Sequence, residues 1–199
     1  ISKHFGQGDL KPIISLIPQT LLLSALMGIS IAFITAFFYT DIAYFLYGKM
    51  SAMTFDFSNK YFVIRSIGIP ISLLIALFFG IFRGYQNTLW AMYISLIGGA
   101  VNIILDLILV LGIEGFISPM GVAGAAWASV TAQTLMLLLC IVFLYVYTPF
   151  DIRLRKKLNP LFGQMLKIFI NMFIRTIVLN IVFILANRYA NKNGDIQLA

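Results

Sequence analysis

One cysteine, one histidine and seven acidic residues leave this 199-residue chain few of the usual metal ligands. Cys140 has no partner for an internal disulfide. It lies in an apolar run, where a cysteine acts as a small packing residue. His4 is the single histidine, set in a polar segment without metal-ligating neighbours. A Ser-His-Asp triad, an HExxH zinc motif and a Walker A loop are all missing. The chain therefore reads as a non-enzyme, with no cofactor and no metal. Charge is scarce too, at 11% of residues, where a soluble domain carries about 25%. Neither an initiator Met nor a secretory signal pattern opens the chain. The polar start, ISKHFGQGDLKP, resembles a loop between helices, so an internal piece of a longer membrane protein is expected.

What is abundant is apolar sequence, 61% of residues. It falls into five runs long enough to cross a bilayer, which takes about 20 residues each. They are expected at 14–39, 61–82, 89–112, 121–147 and 167–189. Pro18 falls near the start of the first span, where its missing N–H costs little. Pro70 is a kink position in the second. Asn171, Arg175 and Asn180 interrupt the fifth. Arg175 either pairs with an acid elsewhere or snorkels to the inner face, and the structural role is preferred. Short connections join spans two, three and four, which favours antiparallel neighbours.

The net charge of +7 raises the question of nucleic acid. Lys and Arg, however, lie mostly between and beside the apolar runs, as topology determinants do. No nucleic-acid partner is expected; the lipid bilayer is. With the first loop inside, the block Arg153, Arg155, Lys156 and Lys157 is cytoplasmic, whereas Lys49, Lys60 and Arg65 lie at outer ends. The block reads as a cytoplasmic anchor rather than a lipid-headgroup site.

Asp106 is the residue that carries functional information. It lies deep in the third span, one helical turn after Asn102. A carboxylate at a bilayer centre costs about 2.5–3.5 kcal/mol on insertion scales, and such acids usually serve ions, protons or substrates. The alternative is a buried hydrogen bond to Asn102 or to a neighbouring helix. Small residues form stripes beside it. Ser95, Gly99, Asn102 and Asp106 share one face of the third span. Gly68, Ser72, Ala76 and Gly80 do so on the second, and Gly124, Ala128 and Ala132 on the fourth. Small residues let helices approach closely in lipid, so most of these read as packing.

Several of these residues together resemble the multidrug and toxic compound extrusion (MATE) family. Its inner-loop pattern RG-x-G-[DN]-T is matched by Arg83-Gly84 with Asn87-Thr88. Its N-x-x-x-D is matched by Asn102 and Asp106. Its G-V-x-G-A-A-x-A-T is matched from Gly121 to Ser129. The opening loop resembles the G-x-G-D after the family's second helix. The resemblance implies an all-α, polytopic membrane fold of twelve helices in two lobes, with five of those helices here. Residues 1–147 would belong to the N-terminal lobe, as helices three to six. Residues 148–166 would be the cytoplasmic inter-lobe linker, and 167–199 the first helix of the C-terminal lobe. The remaining helices of the full-length chain are then partners of this part.

In the DinF-like branch of the family, a cation or proton site uses an Asp of the first helix, an Asn and an Asp of the fifth and a Thr of the sixth. By resemblance these last three fall on Asn102, Asp106 and Ser129. Many relatives have Pro after the fifth-helix Asp, where this chain has Leu107. The implied activity is secondary active efflux from a cell membrane, exchanging H+ or Na+ for organic or xenobiotic small molecules. Desolvation in a poorly hydrated cavity favours the neutral form of an acid, and cation or proton binding at Asp106 would favour release of a cationic substrate. Phe and Met side chains would line the substrate path. Two other functions share these features. A lipid-linked oligosaccharide or lipid flippase would have several cations in its cavity. A non-transporting membrane scaffold would use Asp106 only to join helices.

The charge pattern generates a topology prediction. In a Cys140→Ser background of the full-length protein, a cysteine at Arg155 should be labelled only from the cytoplasmic side. Labelling of that cysteine by an external, impermeant reagent would overturn the orientation.

Overall fold

Bilayer-length apolar runs must satisfy their backbone polar groups internally, and the helix does so. The structure, a computed structural model, describes residues 1, 5–8, 11–47, 51–147 and 159–197. These form helices α1 (Lys11–Phe37), α2 (Tyr39–Tyr47), α3 (Ala52–Gly84), α4 (Leu89–Leu111), α5 (Val122–Tyr147) and α6 (Leu161–Gln197). Five of them are long and apolar enough to cross a membrane, as expected. The block Arg153–Lys157, like His4 and Lys49, lies outside the described residues.

Two compact units divide at Lys156. The first contains α1 to α5. Its helices pack as a row, α1 against α3, α3 against α5 and α5 against α4. This corrects one expectation. A turn of a few residues joins α3 to α4, yet the two barely touch, because α5 lies between them. Chain proximity at one end of a pair of helices does not oblige their lengths to pack.

The core of this unit runs across all four packed helices near one end of their length. Ile13 and Ile17 of α1, Phe78 and Phe82 of α3, Ile94 of α4, and Cys140 and Leu144 of α5 form it. Cys140 is a buried packing residue there, as expected. Trp90 ties the cluster together, with its ring 5.5 Å from Phe82 and 6.3 Å from Phe143. Elsewhere the helix flanks expose large apolar side chains, among them Leu26, Phe33, Ile103 and Leu138, as suits surfaces that meet lipid.

Three boundaries differ from expectation, each for a local reason. Helix α1 starts at Lys11, so Pro18 lies inside it and denies the Ile14 carbonyl its usual i+4 donor. Helix α3 starts at Ala52 because Ser51 caps it, its hydroxyl accepting from the Thr54 N–H at 3.2 Å. The polar turn with the exposed Lys60–Asp56 pair, 2.8 Å apart, is therefore helical. Helix α6 starts at Leu161 rather than Lys167, inside the stretch expected to be linker. Asn159 Oδ1 accepts from the Leu161 N–H at 2.8 Å, and Pro160 suits a helix start. Within its own unit α6 exposes nearly every side chain described, Arg175 included.

Glycine placement decides where helices touch. A Cβ on Gly28 of α1 would lie 2.5 Å from the Pro70 Cα of α3, so these helices meet backbone to backbone. The turn between α3 and α4 carries Gln86 at φ 58. The family pattern has glycine at that position, and only glycine enters this region without steric cost. Gln86→Gly should stabilise the full-length protein by about 0.5–1 kcal/mol, and Gln86→Val should destabilise it by about 1–2 kcal/mol. Thermal unfolding in detergent checks both; a lower melting temperature for Gln86→Gly would contradict the strain at this turn.

Candidate functional site

Helices α4 and α5 run antiparallel, and two glycines set their register. A Cβ on Gly124 of α5 would run into the Leu109 carbonyl of α4, and one on Gly98 of α4 would run into Met136. Between these two contacts, the turn of α4 that carries Asn102 and Asp106 lies level with residues 127–132 of α5. Ser129 lies in that stretch. Counting about 100° per residue from the same contacts puts Asp106, Ser129 and Gln133 on one flank of the helix row. Asp106 and Ser129 are thus brought to one depth and one side, with Asn102 one turn from Asp106 on α4.

Asn102, Asp106 and Ser129 are each half-buried. Asp106 Oδ1 and Asn102 Nδ2 are fully shielded, and among the described residues neither has a hydrogen-bond partner. Asn102 and Asp106 therefore do not satisfy each other through these atoms. An unmet buried polar atom costs about 1–3 kcal/mol, and more when charged, so the pair is not explained as a satisfied structural contact. A carboxylate, a side-chain amide and a hydroxyl supply hard oxygen ligands, which suit a proton or a small hard cation.

The small-residue stripe of α4 needs correction. Ser95 and Gly99 are exposed, and a Cβ on Gly99 would meet nothing within 4 Å; Gly98 makes the close approach instead. On α3, Gly80 likewise faces open space, whereas Gly68 is buried. The stripe on α5 does pack: Gly124, Ala128 and Ala132 are all buried.

Gly68 marks a feature that the sequence reading missed. Arg65, expected at the outer end of its span, lies about three and a half turns inside α3. Its Nη1 donates to Gln133 Oε1 of α5 at 3.1 Å, and both residues are half-buried. A Cβ on Gly68 would lie 2.7 Å from that oxygen and 3.2 Å from Nη1, so the pair occupies room left by the glycine. The available signal was Gly68 one helical turn from Arg65, but nothing in one sequence pairs it with Gln133.

Comparison with known proteins bears on the family and the fold. The MatE family model matches residues 1–108. Protein DETOXIFICATION 43 of Arabidopsis thaliana is 31% identical over 150 residues, covering 71% of this chain and 26% of that protein. Protein DETOXIFICATION 42 of the same plant is 40% identical over 79 residues, covering 40% of this chain and 14% of that protein. The chain thus spans about a quarter, or less, of the length of these curated relatives. Among solved structures, the inward-facing form of a multidrug resistance MATE family transporter of the MOP superfamily superposes with a TM-score of 0.67. Identity is 24%, over 77% of this chain and 34% of that one. An outward-facing form matches with a TM-score of 0.66 at 24% identity, over 77% of this chain and 33% of that one. At that identity the likeness speaks for the fold, an all-helical membrane fold of which these helices are part of a larger twelve-helix whole.

The glycine contacts differ in what can yield. Gly98→Ala meets only the flexible Met136 side chain and should cost little. Gly124→Ala meets backbone and should destabilise by about 1–3 kcal/mol, the range for overpacking. Melting temperatures of the two full-length variants test this; equal effects would mean that the Leu109–Gly124 approach does not set the register.

Proposed function

This chain belongs to the MatE family, and from that premise we propose that the protein works as a secondary active exporter, exchanging H+ or Na+ for organic compounds. The chain is a multi-pass membrane protein, and a cell membrane is the proposed site of action. The observation that carries the reading is the shielded, unpartnered Asp106 Oδ1 on a membrane helix, one turn from the equally unpartnered Asn102 Nδ2. Asp106 is proposed as the coupling acid, Asn102 as its first neighbour and Ser129, level with both, as the hydroxyl of the set. This assignment is that of the DinF-like branch. In the same reading α1 to α5 belong to the N-terminal lobe, the segment before Leu161 links the lobes, and α6 opens the C-terminal lobe.

The chemistry follows from charge in a dry place. An ionised, unpaired carboxylate inside a membrane is costly. Binding a proton or Na+ removes that charge. A cation shifts the transport equilibrium only by its differential affinity for the two facing states. The acid must therefore be met differently in each state, which a site on the flank of the helix row permits. Organic cations and the coupling ion would compete for the same negative charge, and that competition links their movements.

Asp106→Asn keeps size and hydrogen bonding but holds the site neutral. In full-length protein reconstituted in liposomes, it should abolish efflux of the organic cation ethidium driven by an imposed pH or Na+ gradient, with membrane insertion unchanged. Asn102→Ala should raise the driving-ion concentration for half-maximal efflux by about tenfold, the loss of one ligand interaction of about 1.5 kcal/mol. Wild-type rates and ion dependence in Asp106→Asn would remove Asp106 from the coupling role and leave the scaffold reading ahead.

A further inference from the structure

Arg65 is the one cation between residues 61 and 82 of α3, and Asp106 is the one acid of α4. Residues 12–37 and 122–147 carry no charge at all. These stretches of the four packed helices thus carry one positive and one negative side chain, both half-buried. Among the described residues these two form no ion pair with each other; the pair formed is the exposed Lys60–Asp56 contact. Arg65 instead donates to the neutral Gln133, which orders the guanidinium without compensating its charge.

The helix register brings the two charges into relation. Gly68 of α3 lies against Val130 and Gln133 of α5. Arg65, one turn earlier on the parallel helix α3, is then level with the stretch of α5 that faces Asn102 and Asp106. Gln133 lies on the same flank as Asp106 and carries Arg65 with it. The axes of packed helices lie about 8–10 Å apart, which sets the scale of the separation between Gln133 on α5 and Asp106 on α4. Other titratable groups are remote or already engaged. Tyr93 lies in the first turns of α4. Cys140, Tyr145 and Tyr147 lie at the core end of α5. On α3, Asp56 and Lys60 pair with each other, Tyr61 precedes Arg65 by a turn, and Arg83 is in the last turn.

We propose that Arg65 is an internal competitor for Asp106, a fixed cation that Gln133 holds at Gly68 and that sets how tightly the site binds its coupling ion. The proposal rests on the assignment of Asp106 as the coupling acid. With Gln133 in place, the guanidinium opposes a bound cation from a distance. Without Gln133 it is free to approach the carboxylate and to compete more strongly. Arg65 is a positioning residue in this scheme, since it acts through Asp106. Two unit charges about 10 Å apart at an effective dielectric of about 20 change a binding constant by about tenfold.

The prediction has opposite signs at the two partners, which a merely structural role would not produce. Purified full-length protein should gain thermal stability as Na+ rises at fixed pH, since a ligand of the folded state stabilises it by mass action. Arg65→Gln should lower the half-maximal concentration of that cation by about tenfold. Gln133→Leu should raise it, Arg65→Lys should stay near wild type, and the Arg65→Gln/Gln133→Leu double variant should behave like Arg65→Gln. If Arg65→Gln is not recovered folded, the Gln133→Leu and Arg65→Lys results decide alone. An unchanged midpoint in Arg65→Gln or Gln133→Leu, or shifts of the same sign in both, would overturn the proposal. Asp106→Asn separates the two levels. If it abolishes the cation response while Arg65→Gln does nothing, only the competitor role falls. If the response survives in Asp106→Asn, the coupling assignment falls with it.

Discussion

Helix α5 reaches both of its neighbours because Gly68, Gly98 and Gly124 carry no side chains at the points of contact. In lipid there is no hydrophobic force between helices, and close backbone approach is what holds them together. The α4–α5 contacts fix depth as well as distance. Leu109 against Gly124 and Gly98 against Met136 leave one antiparallel register, and that register carries Ser129 to the level of Asn102 and Asp106. The contact at Gly68 does the same for α3, where it leaves the room that Arg65 and Gln133 fill. A site in this unit is therefore a consequence of glycine placement on helices that otherwise expose apolar surface.

The same packing creates an electrostatic problem. Asp106 and Arg65 are half-buried, Asp106 as the one charged residue of α4 and Arg65 as the one between residues 61 and 82 of α3. Opposite charges in a low-dielectric interior attract strongly, yet the structure keeps them apart, one bonded to a neutral amide and the other shielded and unpartnered. A closed ion pair would be stable and inert. Separation leaves the carboxylate unpaired, as the proposed ion coupling requires.

Much of this was legible from residues alone, for identifiable reasons. Five spans follow from apolar length, since about 30 Å of hydrocarbon demands it. Asp106 declares itself by cost, and Asn102 by spacing of one turn. Helix ends were less legible. Ser51 and Asn159 extend α3 and α6 beyond the apolar runs, because a cap needs only one side-chain oxygen and leaves no trace in hydropathy. Gly99 and Gly80 look no different from Gly98 and Gly68 in a helical pattern. Adjacent small residues occupy faces about 100° apart, and only the partner helix decides which face is used.

The sequence by itself determined the class, the number of spans, the intramembrane acid and the family resemblance, because each depends on local composition or on spacing within one helix. Tertiary structure alone decided that α5 separates α3 from α4, that Ser129 stands level with Asp106, and that Arg65 is held by a glutamine of α5. These are relations between helices distant in the chain. In a bilayer, where lipid solvates every apolar flank equally well, the pattern of one helix carries little information about which flank its neighbour will cover.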